Sequence, residues 1–143
     1  MEDVTLDKTQ GSTVGPQESV KLAREPMVRT VAMPADTNGN GVIFGGWVLS
    51  QMDIAGGIKA REVTRGRAAT VAIEAMKFHC PVSVGDIVSV YVGVERIGKT
   101  SLTTNIETTV ARSDRPGEEL LVTEGKFIFV AIDGRGQARP IPR

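Results

Sequence analysis

Asn38-Gly39-Asn40-Gly41-Val42-Ile43-Phe44-Gly45-Gly46-Trp47-Val48-Leu49-Ser50-Gln51-Met52-Asp53 is the stretch on which the reading of this chain turns. Its first half is built from residues that make turns, and Pro34 with Ala35-Asp36-Thr37 leads into it. Its second half is apolar and continues to about Val63, so Gly46 to Val63 reads as one helix of about five turns. That helix is apolar nearly all round over its first three turns and polar only at Lys59, Arg61 and Glu62 near its end. A helix of this kind is expected to be buried.

One carboxylate interrupts the apolar run. Residues three and four away on a helix share a face, which places Leu49, Ser50, Gly56, Gly57 and Ala60 beside Asp53. Two helical glycines each cost about 1 kcal/mol relative to alanine, so something is expected to pack close to the backbone there, either another element or a ligand. A carboxylate on such a helix needs a charge, hydrogen bonds or a function to offset its desolvation; the plain alternative is that Asp53 points to solvent or meets a backbone amide. Upstream, Gly45 and Gly46 stand where loop becomes helix. Their free N–H groups and the positive helix end can hold a developing oxyanion, or they can serve a turn. Asn38 adds a neutral polar group that can hold a water or a carbonyl, or form an Asx turn.

Outward from this stretch the chain is β-rich. Val28, Thr30 and Ala32 suit a short strand before Pro34, and Ala68 to Phe78, Ile87 to Ile97, Ser101 to Ala111 and Leu120 to Ile132 have the composition and partial alternation of four long strands. Ile97-Gly98-Lys99-Thr100 is a compact hairpin connection, and Ser113-Asp114-Arg115-Pro116-Gly117 is a looser one. Pro81-Val82-Ser83-Val84-Gly85-Asp86 reads as a turn between successive strands, and connections this short favour antiparallel neighbours. Pro140-Ile141-Pro142-Arg143 reads as a tail. One helix followed by a long antiparallel sheet indicates an α+β domain, 25–143, in which the sheet wraps the helix, preceded by a flexible extension over 1–24. The unprotected edges of such a sheet point to a homo-oligomer.

The chain has 143 residues, the size of one domain. Lys plus Arg and Asp plus Glu each total 17, so no net field draws it to nucleic acid or an anionic membrane surface. Val42 to Ile58 is too polar and too short to span a bilayer, and Met1-Glu2-Asp3-Val4 lacks a secretory pattern; a cytoplasmic location is expected. The single Cys80 fits a reducing compartment. His79, the one histidine, lies beside Cys80 without further ligand-type neighbours, so no metal site is expected and both are read as structural. Phe127 and Phe129 alternate for one strand face, and Trp47 reads as packing.

Met33-Pro34-Ala35-Asp36-Thr37-Asn38-Gly39-Asn40-Gly41-Val42-Ile43-Phe44-Gly45-Gly46-Trp47, with Ser50-Gln51-Met52-Asp53, closely resembles the signature of bacterial hotdog-fold acyl-CoA thioesterases of the YciA type. The resemblance continues through Thr70-Val71-Ala72-Ile73-Glu74, Pro81 to Asp86, Gly98-Lys99-Thr100-Ser101, Phe127 to Ala131 and Arg139 to Arg143, covering residues 28 to 143. It implies a hotdog fold, with protomers paired into a continuous sheet and dimers assembled as trimers of dimers. It also implies hydrolysis of acyl-CoA with no cofactor, CoA being part of substrate and product. The catalytic acid is then Asp53 with Asn38 as companion, meeting across a subunit interface, and Gly45 and Gly46 polarise the thioester carbonyl. Phe44, a substrate-binding residue by the same resemblance, stands where related thioesterases often have His, but Phe is the residue of this type; Val42 replaces a polar residue, which bears on substrate fit. CoA is expected on the hairpin, at Arg96, Gly98, Lys99, Thr100 and Ser101, with Arg135 and Arg139 as weaker phosphate partners or solvated charges.

Asp53 can activate a water or attack the carbonyl itself, and the sequence leaves both open. Two further functions compete: a hotdog domain that binds acyl-CoA without cleaving it, and a hydratase or dehydratase. The first could dispense with the acid. The second relies on a histidine paired with an acid, and His79 lies away from the helix motif.

Overall fold

A computed structural model describes residues 24–143, so the extension expected over 1–24 lies, but for Arg24, outside the described residues. The elements follow in the order β1 (Val28–Val31), a one-turn 3-10 helix (Pro34–Asp36), α1 (Gly45–Thr64), β2 (Ala68–Phe78), β3 (Ile87–Ile97), β4 (Ser101–Ala111) and β5 (Glu119–Ala131). The strands form one antiparallel sheet in the order β1-β3-β4-β5-β2, and α1 packs against it, which is the wrapped α+β architecture expected.

Alternation fixes β4 and β5, two of the three inner strands. On β4, Leu102, Thr104, Ile106, Thr108 and Val110 are buried at every second position, and on β5 Thr123, Phe127, Phe129 and Ala131 turn to the same side. The buried threonines keep the β-branched shape that strands favour at the cost of a hydroxyl. Thr104 satisfies its own by donating to the Phe127 carbonyl at 2.9 Å. Helix α1 lays Val48, Met52, Ala55, Gly56 and Ala60 on this surface. At Gly56 a Cβ would stand 2.7 Å from the Phe129 ring and 2.8 Å from Ile106 Cδ1, so the close packing expected of the two helical glycines is found at Gly56, against the sheet core, and not at Gly57, where a Cβ would meet nothing within 4 Å.

Three expectations need correction. The helix is buried on one side only: Ile54 is 53% and Ile58 39% exposed, because one sheet can cover one face. Residues 81–86 do not join antiparallel neighbours, since β5 and β4 lie between β2 and β3. Eight extended residues reach about 26 Å, enough to cross the end of the sheet over three spacings of about 4.8 Å. That crossing is pinned by His79 N–H donating to the Val122 carbonyl (2.7 Å), by Ile43 N–H donating to the Val82 carbonyl (2.9 Å) and by burial of Val82. The end of the described chain is docked, not a free tail. Ile141 is 4% exposed, and its N–H donates to the Lys99 carbonyl at 2.8 Å.

Candidate active site

The loop before α1 is held by its own backbone. Asn38 N–H donates to the Val42 carbonyl at 2.9 Å, and Gly39 and Gly41 take φ values of +96° and +82°, which a side chain would oppose. The Asn38 carboxamide oxygen accepts from Asn40 N–H at 3.0 Å. That is the Asx turn considered from the sequence, and it leaves the Asn38 amide nitrogen without a partner among the described residues.

Phe44 caps α1 with extended geometry (φ −58°, ψ 139°) and no side-chain hydrogen bond. Its carbonyl accepts from Trp47 N–H (3.1 Å) and Val48 N–H (3.4 Å). The amides of Gly45 and Gly46 have no partner among the described residues, and both glycines are exposed. The helix therefore begins as an open, electropositive end with two free donors. Phe44 itself is 51% exposed beside it, and Phe78 at the end of β2 lies close to Gly45.

Asp53 stands on α1 two turns further along, at the side facing β2 and exposed in the single chain. Its Oδ1 accepts a hydrogen bond from the Thr70 hydroxyl at 2.6 Å. A carboxylate oxygen receiving an O–H at that length makes a strong, orienting contact. In the sequence Thr70 stands out only as part of the family-like run Thr70 to Glu74. Nothing in its local pattern says that a strand residue 17 positions later meets the helix acid, because strand pairing across the sheet sets that contact.

The hairpin residues lie elsewhere. Thr100 accepts from Ala131 N–H at 2.9 Å and Lys99 from Ile141 N–H, which places Gly98 to Ser101 by the start of β2 and the C-terminal end of α1. Helix α1 has 20 residues and so runs about 30 Å, with Gly45 and Gly46 at its far end. One chain thus brings together Asn38, Phe44, Gly45 and Gly46, with Asp53 about 12 Å further along the helix, but not Arg96, Gly98, Lys99, Thr100 or Ser101. At the hairpin, Gly98 N–H closes on the Ser101 carbonyl (2.8 Å), and Arg143 donates to the carbonyls of Gly98 (2.9 Å) and Ile97 (3.4 Å). Neither Arg96 nor Lys99 has an acidic partner among the described residues.

The remaining polar residues are occupied elsewhere. Arg139 donates to the carbonyls of Thr64 (3.0 Å) and Ile132 (3.0 Å), closing the helix end, which is neither of the roles weighed for it. His79 Nε2 meets Glu124 at 2.8 Å, and Cys80 Sγ lies 3.6 Å from the Leu121 carbonyl. Asp86, buried, accepts from Ser83 N–H (2.9 Å) and Arg112 (3.3 Å) and organises the crossing connection.

The model of the Thioesterase superfamily matches residues 40–114. The chain is 50% identical over 120 residues to the acyl-CoA thioester hydrolase YciA of Salmonella typhimurium, covering 82% of this chain and 90% of that protein. It is 48% identical over 119 residues to an uncharacterised acyl-CoA thioester hydrolase of Haemophilus influenzae, covering 82% and 77%. Among solved structures, a hexameric thioesterase from Yersinia pestis is 45% identical with a TM-score of 0.79, covering 85% of this chain and 98% of the other. A hexameric hotdog-fold thioesterase of Campylobacter jejuni is 41% identical with a TM-score of 0.78, covering 82% and 90%. A hexameric broad-specificity acyl-coenzyme A thioesterase, solved with one Asp replaced by Ala, is 44% identical with a TM-score of 0.80, covering 84% and 88%. With about half of its residues shared over four-fifths of its length, and the same wrapped sheet beneath them, the chain belongs to the thioesterase superfamily and, within it, to the hotdog-fold acyl-CoA thioesterases of the YciA type.

Proposed function

We propose that this protein hydrolyses acyl-CoA to a free carboxylic acid and CoA, with Asp53 as the reacting carboxylate and the amides of Gly45 and Gly46 polarising the thioester carbonyl. One observation carries the reading: an exposed, oriented carboxylate and a helix end whose first two N–H groups are free lie on one helix, about 12 Å apart, so that the two act on one carbonyl when they come from different subunits. As a general base, Asp53 takes a proton from water while the oxygen adds to the carbonyl carbon; the C–S bond then breaks and the proton passes to the departing thiolate. As a nucleophile, a carboxylate oxygen bonds that carbon directly, the thiolate leaves, and water cleaves the mixed anhydride. In both routes negative charge builds on the carbonyl oxygen, where the open helix end favours it.

The separation of the hairpin from the helix N-terminus supports a site shared between chains. Strand β2 is an edge strand with Val71 and Ile73 exposed, and Ile54 and Ile58 of α1 are exposed with them. Pairing two copies of β2 about a twofold axis reverses one chain against the other, so the hairpin of one protomer approaches the Gly45 end of its partner. In that arrangement CoA phosphates rest on Arg96, Lys99 and Ser101 of one subunit while the thioester reaches Asp53 or Asn38 of the other. A trimer of such dimers is the state we propose, by likeness to the hexameric relatives, with residues 25–143 as the catalytic unit.

Release of free thiol from a panel of acyl-CoAs tests the function. Wild type is expected to turn over, and Asp53→Asn to lose roughly 100-fold to 10,000-fold in turnover while melting like wild type. Near-normal turnover in that variant removes Asp53 from the chemistry. Binding of acyl-CoA by wild type without thiol release replaces the enzyme with a binding protein.

A further inference from the structure

The hairpin between β3 and β4 is completed by residues far along the chain. Ile141 N–H donates to the Lys99 carbonyl (2.8 Å), Ala131 N–H to the Thr100 carbonyl (2.9 Å) and Gly98 N–H to the Ser101 carbonyl (2.8 Å), while the Arg143 guanidinium donates to the carbonyls of Gly98 (2.9 Å) and Ile97 (3.4 Å). Every carbonyl from Ile97 to Ser101 thus accepts a hydrogen bond, and an anion approaching the tip meets no bare acceptor. Donors gather there instead. A Cβ on Gly98 would stand 3.0 Å from Ser101 Oγ and 3.7 Å from Arg96 Nη1, so the hydroxyl and the guanidinium groups of Arg96 and Arg143 converge on one residue that has no side chain. Arg96, Lys99 and Arg143 are exposed, and none has an acidic partner among the described residues. In a chain with no net charge, these uncompensated cations around one turn make a local positive field.

Resting on the reading of the hairpin as the seat of CoA, we propose that Arg143 is a further binding residue of that seat and directs the protein to thioesters that carry the nucleotide. Its Nη2 is committed to the hairpin carbonyls, which fixes the plane of the guanidinium, and Nε and Nη1 keep their N–H groups for a phosphate oxygen. Arg96 faces the same point from the hairpin, so a phosphate between the two receives charge-assisted hydrogen bonds from both. The nucleotide is remote from the reacting carbonyl and is held alike before and during reaction, so this contact lowers KM and leaves kcat in place. The same acyl group carried on pantetheine alone gains nothing from it.

Thiol release from acyl-CoA and from the matching acyl-pantetheine, measured for wild type, Arg143→Gln, Arg143→Lys and Arg96→Gln over a range of salt concentrations, tests this. Wild type is expected to show a lower KM for acyl-CoA than for acyl-pantetheine, and a KM for acyl-CoA that rises with salt as exposed charges are screened. Arg143→Gln is expected to raise KM for acyl-CoA roughly 5-fold to 20-fold with kcat within about twofold, to leave KM for acyl-pantetheine within about twofold, and to flatten the salt dependence. Arg143→Lys keeps the charge without the fork and is expected to recover the salt dependence and part of the KM. A normal KM for acyl-CoA in Arg143→Gln, with Arg96→Gln impaired, removes Arg143 and leaves the seat standing. An equal rise in KM for both thioesters, or an unchanged salt dependence, assigns Arg143 to holding the chain on the hairpin and overturns the proposal. A wild type that takes acyl-pantetheine as readily as acyl-CoA overturns the hairpin seat itself.

Discussion

At its start α1 leaves Phe44 without a side-chain cap and the amides of Gly45 and Gly46 unpartnered and exposed. At its finish Arg65 takes the left-handed conformation (φ 57°, ψ 44°) and returns its N–H to the Arg61 carbonyl at 2.9 Å, while Arg139, distant in sequence, covers the Thr64 carbonyl. Thr64 is fully buried and its hydroxyl donates to the Gly66 carbonyl at 3.2 Å. Every helix has orphan groups at both ends, and most proteins satisfy them with side chains. Here one end is closed with three separate devices and the other has none. The closed end anchors the helix to the sheet and the chain terminus, so the open end can keep its donors for a ligand without the helix fraying from the other side.

The sharpest way to break this contrast is to remove one donor at the open end and nothing else. Gly45→Pro does so. Phe44 already holds the extended geometry required before proline, residue 45 is the first helical position, where proline is favoured, and the Gly45 N–H has no partner to lose. A Cβ at residue 45 would stand 3.6 Å from the Phe78 ring, an ordinary contact. The variant is expected to melt at or above the wild-type temperature and to lose roughly 100-fold to 1,000-fold in thiol release, the usual consequence of deleting an oxyanion donor. Turnover within threefold of wild type would make the open end a turn and no more.

The converse substitution is at the closed end. Arg139→Ala removes donors to Thr64, Ile132 and, at 3.4 Å, Pro140, together with a cation at the negative end of α1. We expect a loss of about 1–3 kcal/mol in urea unfolding with turnover per folded molecule retained. Arg139→Lys should recover only part of this, because a point charge cannot serve carbonyls in two directions as the guanidinium fork does. A variant with normal stability and impaired turnover would invert the division of labour between the two ends.

How far the sequence reveals this depends on whether a feature is local. The strand limits were legible because period-two alternation and β-branched composition are local: Ala68–Phe78, Ile87–Ile97 and Ser101–Ala111 are the predicted spans, and Glu119–Ala131 differs by one residue at each end. The open helix end was legible for the same reason, in Gly45-Gly46. Strand order was not, since Pro81 to Asp86 has the composition of a tight turn whether it joins neighbours or crosses the sheet. The roles of Arg139 and Ile141 were hidden too, because a Pro-rich terminus has no periodicity to mark the contacts it makes with Thr64 and Lys99. Thr70 belongs to this second group. Its partner Asp53 lies 17 positions away on another element, so no local pattern marks the contact.

The smallest effect concerns the turn that leads Arg139 to its place. Asp133 accepts from the N–H groups of Gln137 (2.9 Å) and Arg135 (2.8 Å), and Ile132 bridges Ala138 beside it. These backbone donors, Gln137 first and then Arg135, hold the Asp133 carboxyl below its ordinary range. A depressed value means that the unfolded chain binds the proton more readily, so the contribution to stability is present above the unfolded pKa of about 3.9 and is lost as pH falls through the lower folded value. Asp133→Asn keeps an acceptor oxygen but not the charge. Its melting temperature is expected to fall slightly short of wild type at neutral pH and to meet it as the solution is acidified below the carboxylate range. A gap that stays constant with pH would assign the turn to hydrogen bonding alone and take the Asp133 charge out of the support for the closed end of α1.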